Sequence, residues 1–246
     1  MALIWHAKPS GGYGYNSNEG IDNITCINGF FNGRGYTLQA QAGVIANIIH
    51  ESALNPWRWQ EDKYSENGDS GYGLFQFTPG RHYWQQCYDV DGYAPNRSPF
   101  YQSDFARPSD GYAHLVVFDE DILGKWQTLC WRFVYWDRNQ YPGLWQMRNT
   151  ILANYGTNGE LSLAQFRTID NVSYATFAFL ACYEGPLVPN FYEREVTALA
   201  IYQMLSGETP PPPTPPPGPG PEPPTPVFGD RNKIIFYLKP FWKRGF

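Results

Sequence analysis

The sequence predicts an α+β domain that is mainly helical, with a small β element, followed by a proline-rich arm and a short C-terminal peptide. Three observations predict this organisation. Apolar residues recur at helical spacing through much of residues 1–208, and a glycine- and aromatic-rich stretch at 71–77 interrupts them. Twelve of the eighteen residues in 209–226 are proline. The 246 residues are enough for one sizeable core.

The helices are predicted from spacing and from helix-end signals. The first is predicted over 20–33, where apolar residues recur at intervals of three or four. These residues are Ile21, Ile24, Ile27 and Phe31. Thr37 is the predicted N-cap of a second helix, and Pro56 marks its end because the residue before a proline disfavours helical geometry. Further helical periodicity is present over 115–136, 173–183 and 193–205.

The C-terminal part divides into a linker and a peptide. Residues 209–226 cannot form a helix or a sheet, so we expect a polyproline II spacer that spans roughly 55 Å when fully extended. Residues 227–246 are basic and aromatic, and too few to form a core. They are predicted to dock to a protein partner, with a disordered tail or a membrane-surface contact as alternatives. Residues 1–208 form the predicted globular domain.

Composition and charge exclude several classes of protein. The net charge is −5, although residues 227–246 hold five basic residues and one acidic residue, so the main domain is acidic and unsuited to binding nucleic acid. No apolar run is long enough to span a membrane. The segment MALIWHAKPS is too short and too polar for a signal peptide. The four cysteines lack a C-x-x-C pair, which favours scattered buried thiols. They are Cys26, Cys87, Cys130 and Cys182.

Several motifs of catalysis are incomplete. His50 and Glu51 begin a zinc-protease pattern, but the second histidine is replaced by Leu54. Gly71 and Gly73 resemble the start of a phosphate-binding loop, but the third glycine is missing, and no G-x-S-x-G occurs. Metal, phosphoryl-transfer and acyl-transfer chemistry therefore have little support, and neither a metal nor a cofactor is expected.

Glu51 is the strongest candidate for acid–base chemistry. Glycoside hydrolysis needs a carboxylic acid that stays protonated until it donates to the leaving oxygen. Glu51 follows two isoleucines at the predicted end of its helix, where burial and the helix dipole both disfavour the charged form. Trp57 and Trp59 are close enough along the chain to shield it. The alternative is that Glu51 only caps the helix or pairs with Arg58.

Three segments resemble the tail-associated lysozymes of bacteriophages, which belong to the lysozyme superfamily. They are GRGYTLQAQAGVIANIIHESALNPWRWQ (33–60), GYGLFQFTP (71–79) and ATFAFLACYEGPLVPNFYERE (175–195). The segments depart from the family pattern at Tyr36, where the family has tryptophan, and at Gly185, where it has arginine. The resemblance covers about residues 20–205 and implies a lysozyme-like domain.

The resemblance also implies roles for individual residues. Glu51 matches the general acid of the family. The residues implied to line the sugar cleft or to support it are Trp59, Gln60, Tyr72, Gln76, Tyr183 and Glu184. For the last two, an anchoring role is as well supported as contact with substrate.

The second catalytic carboxylate is less well defined by the sequence. Asp69 is the preferred residue because of its place between the catalytic helix and the β element, and its rivals are Glu61, Asp62 and Glu66. A separation of about 5 Å from Glu51 would predict retention of configuration, and about 7–9 Å inversion. With no second acid, a lytic transglycosylase becomes the alternative.

The resemblance implies a muramidase-type glycosidase that degrades peptidoglycan. Its substrate would be the glycan strands of the cell wall, and its partners would be phage tail proteins bound through residues 227–246. The expected location is the virion, at the tail tip, which would explain delivery without a signal peptide. The alternatives are a non-catalytic lysozyme-like tail or plug protein and a free endolysin.

Overall fold

The structure is a computed structural model of the chain. It describes residues 4–8, 10–60, 70–91, 110–129 and 136–208. The predicted proline-rich arm and docking peptide lie outside these residues.

The described residues contain eight α-helices and one π-helical turn. The helices are α1 (Asn18–Asn32), α2 (Leu38–Ser52), α3 (Gly80–Asp91), α4 (Asp110–Lys125), α5 (Pro142–Tyr155), α6 (Leu163–Arg167), α7 (Val172–Phe179) and α8 (Phe191–Ser206), and the π-helical turn is Leu180–Glu184. A small antiparallel β element lies between α2 and α3, where Tyr72 pairs with both Trp59 and Phe77. The predicted fold class, mainly helical with a small β element, is confirmed.

The start and the end of α2 show how local chemistry sets its length. Thr37 is the N-cap, as predicted, and its hydroxyl accepts a hydrogen bond from the backbone N–H of Ala40 at 3.1 Å. The helix ends at Ser52, because Ala53 takes a left-handed conformation with φ of 48°. The helix therefore ends four residues before Pro56, at a left-handed turn that was not predicted from the sequence.

Three helices, α3, α5 and α6, were not predicted. Helix α5 buries only three side chains, so its apolar stripe is narrow: Leu144, Met147 and Ile151. Helix α6 has five residues and depends on a capping box between Ser162 and Gln165. The predicted helix at 173–183 is present, but it continues from α7 into the π-helical turn.

Helix α2 lies at the centre of the domain. Every residue from Ala40 to Ile48 is buried, and the helix packs against α1, α7 and α8. Its contact with α7 is close at Gly43, where a β-carbon would lie 2.7 Å from the backbone nitrogen of Thr176. Burial on all sides explains the apolar character of this segment. It also means that the helix reaches solvent only at its two ends.

Two further sequence predictions can be compared with the described residues. Cys26, Cys87 and Cys182 are buried thiols, as predicted, while Cys130 lies outside the described part. Among the helices that the structure describes, none combines the length and the apolar character needed to cross a bilayer.

Candidate active site

Glu51 lies in the last turn of α2, where the buried helix reaches the surface. Its side chain is 23% exposed, whereas Ile48, one turn earlier, is fully buried. Its Oε1 atom accepts a hydrogen bond from Nη2 of Arg194 at 2.6 Å. The carboxyl group is thus partly accessible and held by a specific ion pair.

Arg194 projects from α8 and is 9% exposed in its side chain. Its Nη1 atom donates to Oδ1 of Asn47 at 2.9 Å. Asn47 and Glu51 lie one turn apart on α2, so both contacts of the guanidinium group fall on the same helix face. The sequence suggested Arg58 as a partner for Glu51, and the ion pair that the structure shows is with Arg194.

The turn after Glu51 has an unusual backbone. Ala53 and Leu54 both have positive φ, at 48° and 61°, a region that residues other than glycine seldom adopt. Two hydrogen bonds hold this turn in place. The N–H of Tyr13 donates to the carbonyl of Ala53 at 2.7 Å, and Nδ2 of Asn23 donates to the carbonyl of Leu54 at 2.8 Å.

The N-terminal segment (residues 4–8 and 10–13) packs on the same turn. Asn55 is fully buried, and its Nδ2 atom donates to the carbonyls of Lys8 and Gly11 at 2.9 and 2.8 Å. A β-carbon at Gly12 would lie 2.1 Å from the β-carbon of Ala53, so only glycine permits this approach. The N-terminal segment therefore supports the chain immediately after Glu51.

The β element contains four of the residues implied to line the cleft or to support it, namely Trp59, Gln60, Tyr72 and Gln76. Trp59 and Tyr72 are 3% and 4% exposed, and their ring centroids lie 4.6 Å apart. Gln60 pairs with Gly71 through its backbone N–H at 2.9 Å and through its side-chain oxygen at 3.1 Å. These contacts build the element. Contact of Trp59 or Tyr72 with substrate stays a prediction.

Gln76 closes the turn of this element with a φ of 47°. Its amide nitrogen donates to the carbonyls of Arg58 and Gly73, both at 3.1 Å. Both amide hydrogens are therefore used within the protein, and the side-chain oxygen is left to accept a hydrogen bond from a ligand. The implied role of Gln76 in lining the sugar cleft stays a prediction, and a ligand that meets its side-chain oxygen would have to supply the N–H or O–H donor.

Tyr183 and Glu184 lie in the π-helical turn. The hydroxyl of Tyr183 donates to Oδ2 of Asp121 at 3.0 Å, and Tyr83 donates to Oδ1 of the same carboxylate at 2.5 Å. Lys125 completes the cluster with an ion pair to Asp121 at 3.2 Å. Burial raises the pKa of Tyr183 well above its ordinary value, so its hydroxyl remains a donor. Through these contacts Tyr183 anchors the π-helical turn to α4. Contact of Tyr183 or Glu184 with substrate stays a prediction.

The position of the predicted second carboxylate is not described by the structure. Asp69 and the rival residues all lie outside the described part of the chain. The rivals are Glu61, Asp62 and Glu66. The assignment of Asp69 therefore stays a prediction.

A comparison with known protein families decides the family of this chain. The model of a family described as phage tail lysozyme matches residues 22–205, from α1 to α8. The chain belongs to the phage tail lysozyme family. This match confirms the resemblance drawn from the three sequence segments.

In this member of the phage tail lysozyme family, two residues of the candidate site were not predicted from the sequence. They are Asn47 and Arg194. Both had a signal in the sequence. Asn47 is a polar residue within the apolar run of α2, four positions before Glu51, and Arg194 lies within the third segment that resembles the family. Buried polar residues usually have hydrogen-bond partners, so Asn47 could have been linked to Glu51.

His114 packs against the turn of the β element. It is buried in α4, and its Nδ1 atom accepts a hydrogen bond from the N–H of Leu74 at 3.2 Å. A β-carbon at Gly73 would lie 2.3 Å from its ring, so the turn and the imidazole are in close contact. Burial lowers the pKa of His114 from 6.5 to about 3. The imidazole is therefore neutral in the folded protein at physiological pH.

This pKa predicts a loss of stability in mild acid. The unfolded chain takes up a proton at His114 near pH 6.5, but the folded protein does so only near pH 3. Stability from this group is therefore present above pH 6.5 and is lost as the pH falls through this window. His114 alone should lower the free energy of unfolding by about 1.4 kcal/mol per pH unit there. Urea unfolding at a series of pH values measures this slope.

The matched variant is His114→Asn, which keeps an acceptor for the Leu74 N–H but does not titrate. Carboxylates contribute to the slope in both proteins, so the difference between the slopes reports His114. We expect a shallower slope for the variant between pH 6 and pH 4, whatever its absolute stability. Equal slopes would contradict the assignment.

Proposed function

We propose that the chain is a muramidase-type glycosidase that is carried by a phage tail and opens the bacterial cell wall during genome delivery. Its substrate is peptidoglycan, and the bond cleaved is the β-1,4 link between N-acetylmuramic acid and N-acetylglucosamine. Residues 227–246 attach it to tail proteins in this proposal. Membership of the phage tail lysozyme family supports the substrate class and the location in the virion.

The observation that carries the proposal is the position of Glu51. A single carboxyl group stands at the solvent-facing end of an otherwise buried helix, next to a turn held by buried hydrogen bonds. A fixed and partly desolvated carboxylic acid is suited to general acid catalysis.

Glu51 acts as the general acid. It transfers its proton to the glycosidic oxygen while the bond between that oxygen and the anomeric carbon breaks, so the leaving sugar departs as an alcohol. Positive charge then develops on the sugar that keeps the anomeric carbon. A water molecule adds its hydroxide to that carbon, and its remaining proton restores the catalytic carboxyl groups to their starting state.

Asp69 is proposed as the second carboxylate, which stabilises the developing positive charge or activates the water. The stereochemistry of the product reports the distance between the carboxyl groups of Asp69 and Glu51, with retention at about 5 Å and inversion at about 7–9 Å. A product with an internal anhydro bond would instead indicate a lytic transglycosylase, in which a sugar hydroxyl replaces water.

The test is cleavage of isolated peptidoglycan by the purified full chain. New reducing ends, with N-acetylmuramic acid at the released terminus, support a muramidase. Sedimentation of the protein with peptidoglycan without any new terminus would overturn the proposal in favour of a non-catalytic tail protein. Mass spectrometry of purified virions checks the location, since a free endolysin would be absent from them.

A further inference from the structure

Arg194 is a buried cation in direct contact with the proposed acid. Its Nη2 atom lies 2.6 Å from Oε1 of Glu51, and its Nη1 atom lies 2.9 Å from Oδ1 of Asn47. Its Nε atom has no hydrogen-bond partner within the described residues. The position of the guanidinium group therefore depends on these two residues of α2.

Asn47 determines how Arg194 is oriented. It is fully buried, and its Nδ2 atom donates to the carbonyls of Gly43 and Thr176 at 2.8 and 3.3 Å. Because both amide hydrogens are used by carbonyls, the amide oxygen must face the guanidinium group. The carboxyl group of Glu51 is thereby tied, through Arg194 and Asn47, to the backbone of α2 and α7.

The contact distinguishes the two oxygens of Glu51. Within the described part of the chain, the ion pair occupies Oε1, and Oε2 is the oxygen left to carry the proton. A rigid arginine fork in contact with Oε1 fixes both the plane and the direction of the carboxyl group. The contact also places a buried positive charge 2.6 Å from Oε1.

We propose that Arg194 is a positioning residue for wall cleavage, a proposal that rests on Glu51 being the general acid. It fixes Oε1 so that Oε2 presents the proton to the glycosidic oxygen. Its positive charge, held against the same carboxyl group, influences the pH dependence of cleavage. The role has two separable parts, one geometric and one electrostatic.

Other ionisable groups lie around the pair and must be separated from it. On α2, His50 interacts electrostatically with Arg194, Glu193 and Glu51, and burial, followed by the charge of Arg194, lowers its pKa. His50 is therefore neutral at pH 7 and above. On α8, Glu193 is exposed and Glu195 is buried. Helix α7 contributes the backbone carbonyl of Thr176, which accepts a hydrogen bond from Asn47.

Two substitutions of Arg194 separate charge from geometry. Arg194→Lys keeps the charge but loses the planar fork, and Arg194→Gln loses both. The readout is kcat/KM for soluble, uncrosslinked glycan strands from peptidoglycan, measured from pH 4 to pH 9 with the full chain. The loss of activity at high pH reports deprotonation of the general acid.

We expect both variants to lose roughly 10- to 100-fold in kcat/KM at their optimum pH, because the carboxyl group is no longer fixed. For Arg194→Gln, the loss of activity at high pH should move to higher pH, because the positive charge beside the acid has been removed. For Arg194→Lys it should stay close to the wild-type position. The matched controls are Arg138→Gln, at an exposed arginine, and His50→Gln, and both should keep the wild-type upper limit.

The outcomes separate this proposal from the proposed function. If Glu51→Gln abolishes cleavage but folded Arg194→Gln keeps the wild-type pH profile, the electrostatic role of Arg194 is wrong. Wild-type kcat/KM in Arg194→Lys would contradict the geometric role, and this variant decides the matter if Arg194→Gln does not fold. If wild type cleaves nothing, or Glu51→Gln is fully active, the proposed function itself fails.

Discussion

Replacing Glu51 with glutamine should reduce peptidoglycan cleavage by roughly 10²- to 10⁴-fold, the usual contribution of a general acid. Glutamine has nearly the same shape as glutamate, but its amide cannot donate a proton to a leaving oxygen and be regenerated. Its side-chain oxygen can still accept the hydrogen bond from Arg194. The release of soluble muropeptides per unit time, measured at pH 5, 6 and 7, checks this expectation.

The fold should survive this substitution. Exchange of the carboxylate for an amide weakens a charge-assisted hydrogen bond to a buried arginine, which costs roughly 1–3 kcal/mol. Thermal unfolding of the variant therefore checks that lost activity is not lost structure. The matched control is Glu120→Gln, which makes the same change at an exposed glutamate of α4. Equal losses in the two variants would mean that Glu51 has no special role.

Replacing Gly43 with alanine should destabilise the protein, although alanine is the better helix former. Alanine in the middle of a helix is favoured over glycine by about 1 kcal/mol. At Gly43, however, the new β-carbon would lie 2.7 Å from the backbone nitrogen of Thr176 and 2.9 Å from the carbonyl carbon of Ala175. Since these are backbone atoms, α2 and α7 must separate, and overpacking of this kind costs typically 1–3 kcal/mol or more.

The chain offers a matched control in Gly29. It lies on the exposed side of α1, and a β-carbon there would meet no atom within 4 Å. Gly29→Ala should therefore stabilise the protein by about 0.5–1 kcal/mol. Urea unfolding of both variants measures the two effects. Stabilisation by Gly43→Ala would contradict the close packing of α2 on α7.

The separation of α2 and α7 should also affect activity. Asn47 reaches the carbonyl of Thr176 only because the two helices approach closely at Gly43. When they separate, the amide of Asn47 loses an anchor, and Arg194 and Glu51 lose their fixed orientation. We therefore expect Gly43→Ala to lower kcat/KM even at temperatures where it is fully folded.

The sequence predicts those parts of the fold that depend on local chemistry. The N-cap at Thr37 and the apolar run of α2 follow from hydrogen bonding and burial along a short stretch of chain, and both were predicted. The end of α2 was not, because the left-handed backbone at Ala53 is held by Tyr13 and the N-terminal segment, which are distant in sequence. Helix α5 was missed because only a narrow stripe of it is buried.

The candidate site shows the same division. Glu51 can be singled out because a carboxylate at the end of an apolar helix is uncommon and its neighbours resemble a known family. Its partner Arg194 lies 143 positions away on α8, a contact that helical periodicity cannot predict. The buried state of Trp59 and Tyr72 was also not predicted, because an aromatic residue suits a core as well as a sugar cleft.

The N-terminal segment has a consequence for where the functional unit begins. The family match starts at residue 22, yet Lys8 and Gly11 supply carbonyls, and Tyr13 supplies an N–H, to the turn that follows Glu51. A chain trimmed to the matched residues would leave the buried amide of Asn55 without these acceptors and the backbone of Ala53 without its donor. The smallest unit that keeps the acid in position is therefore longer than the smallest unit that the family shares.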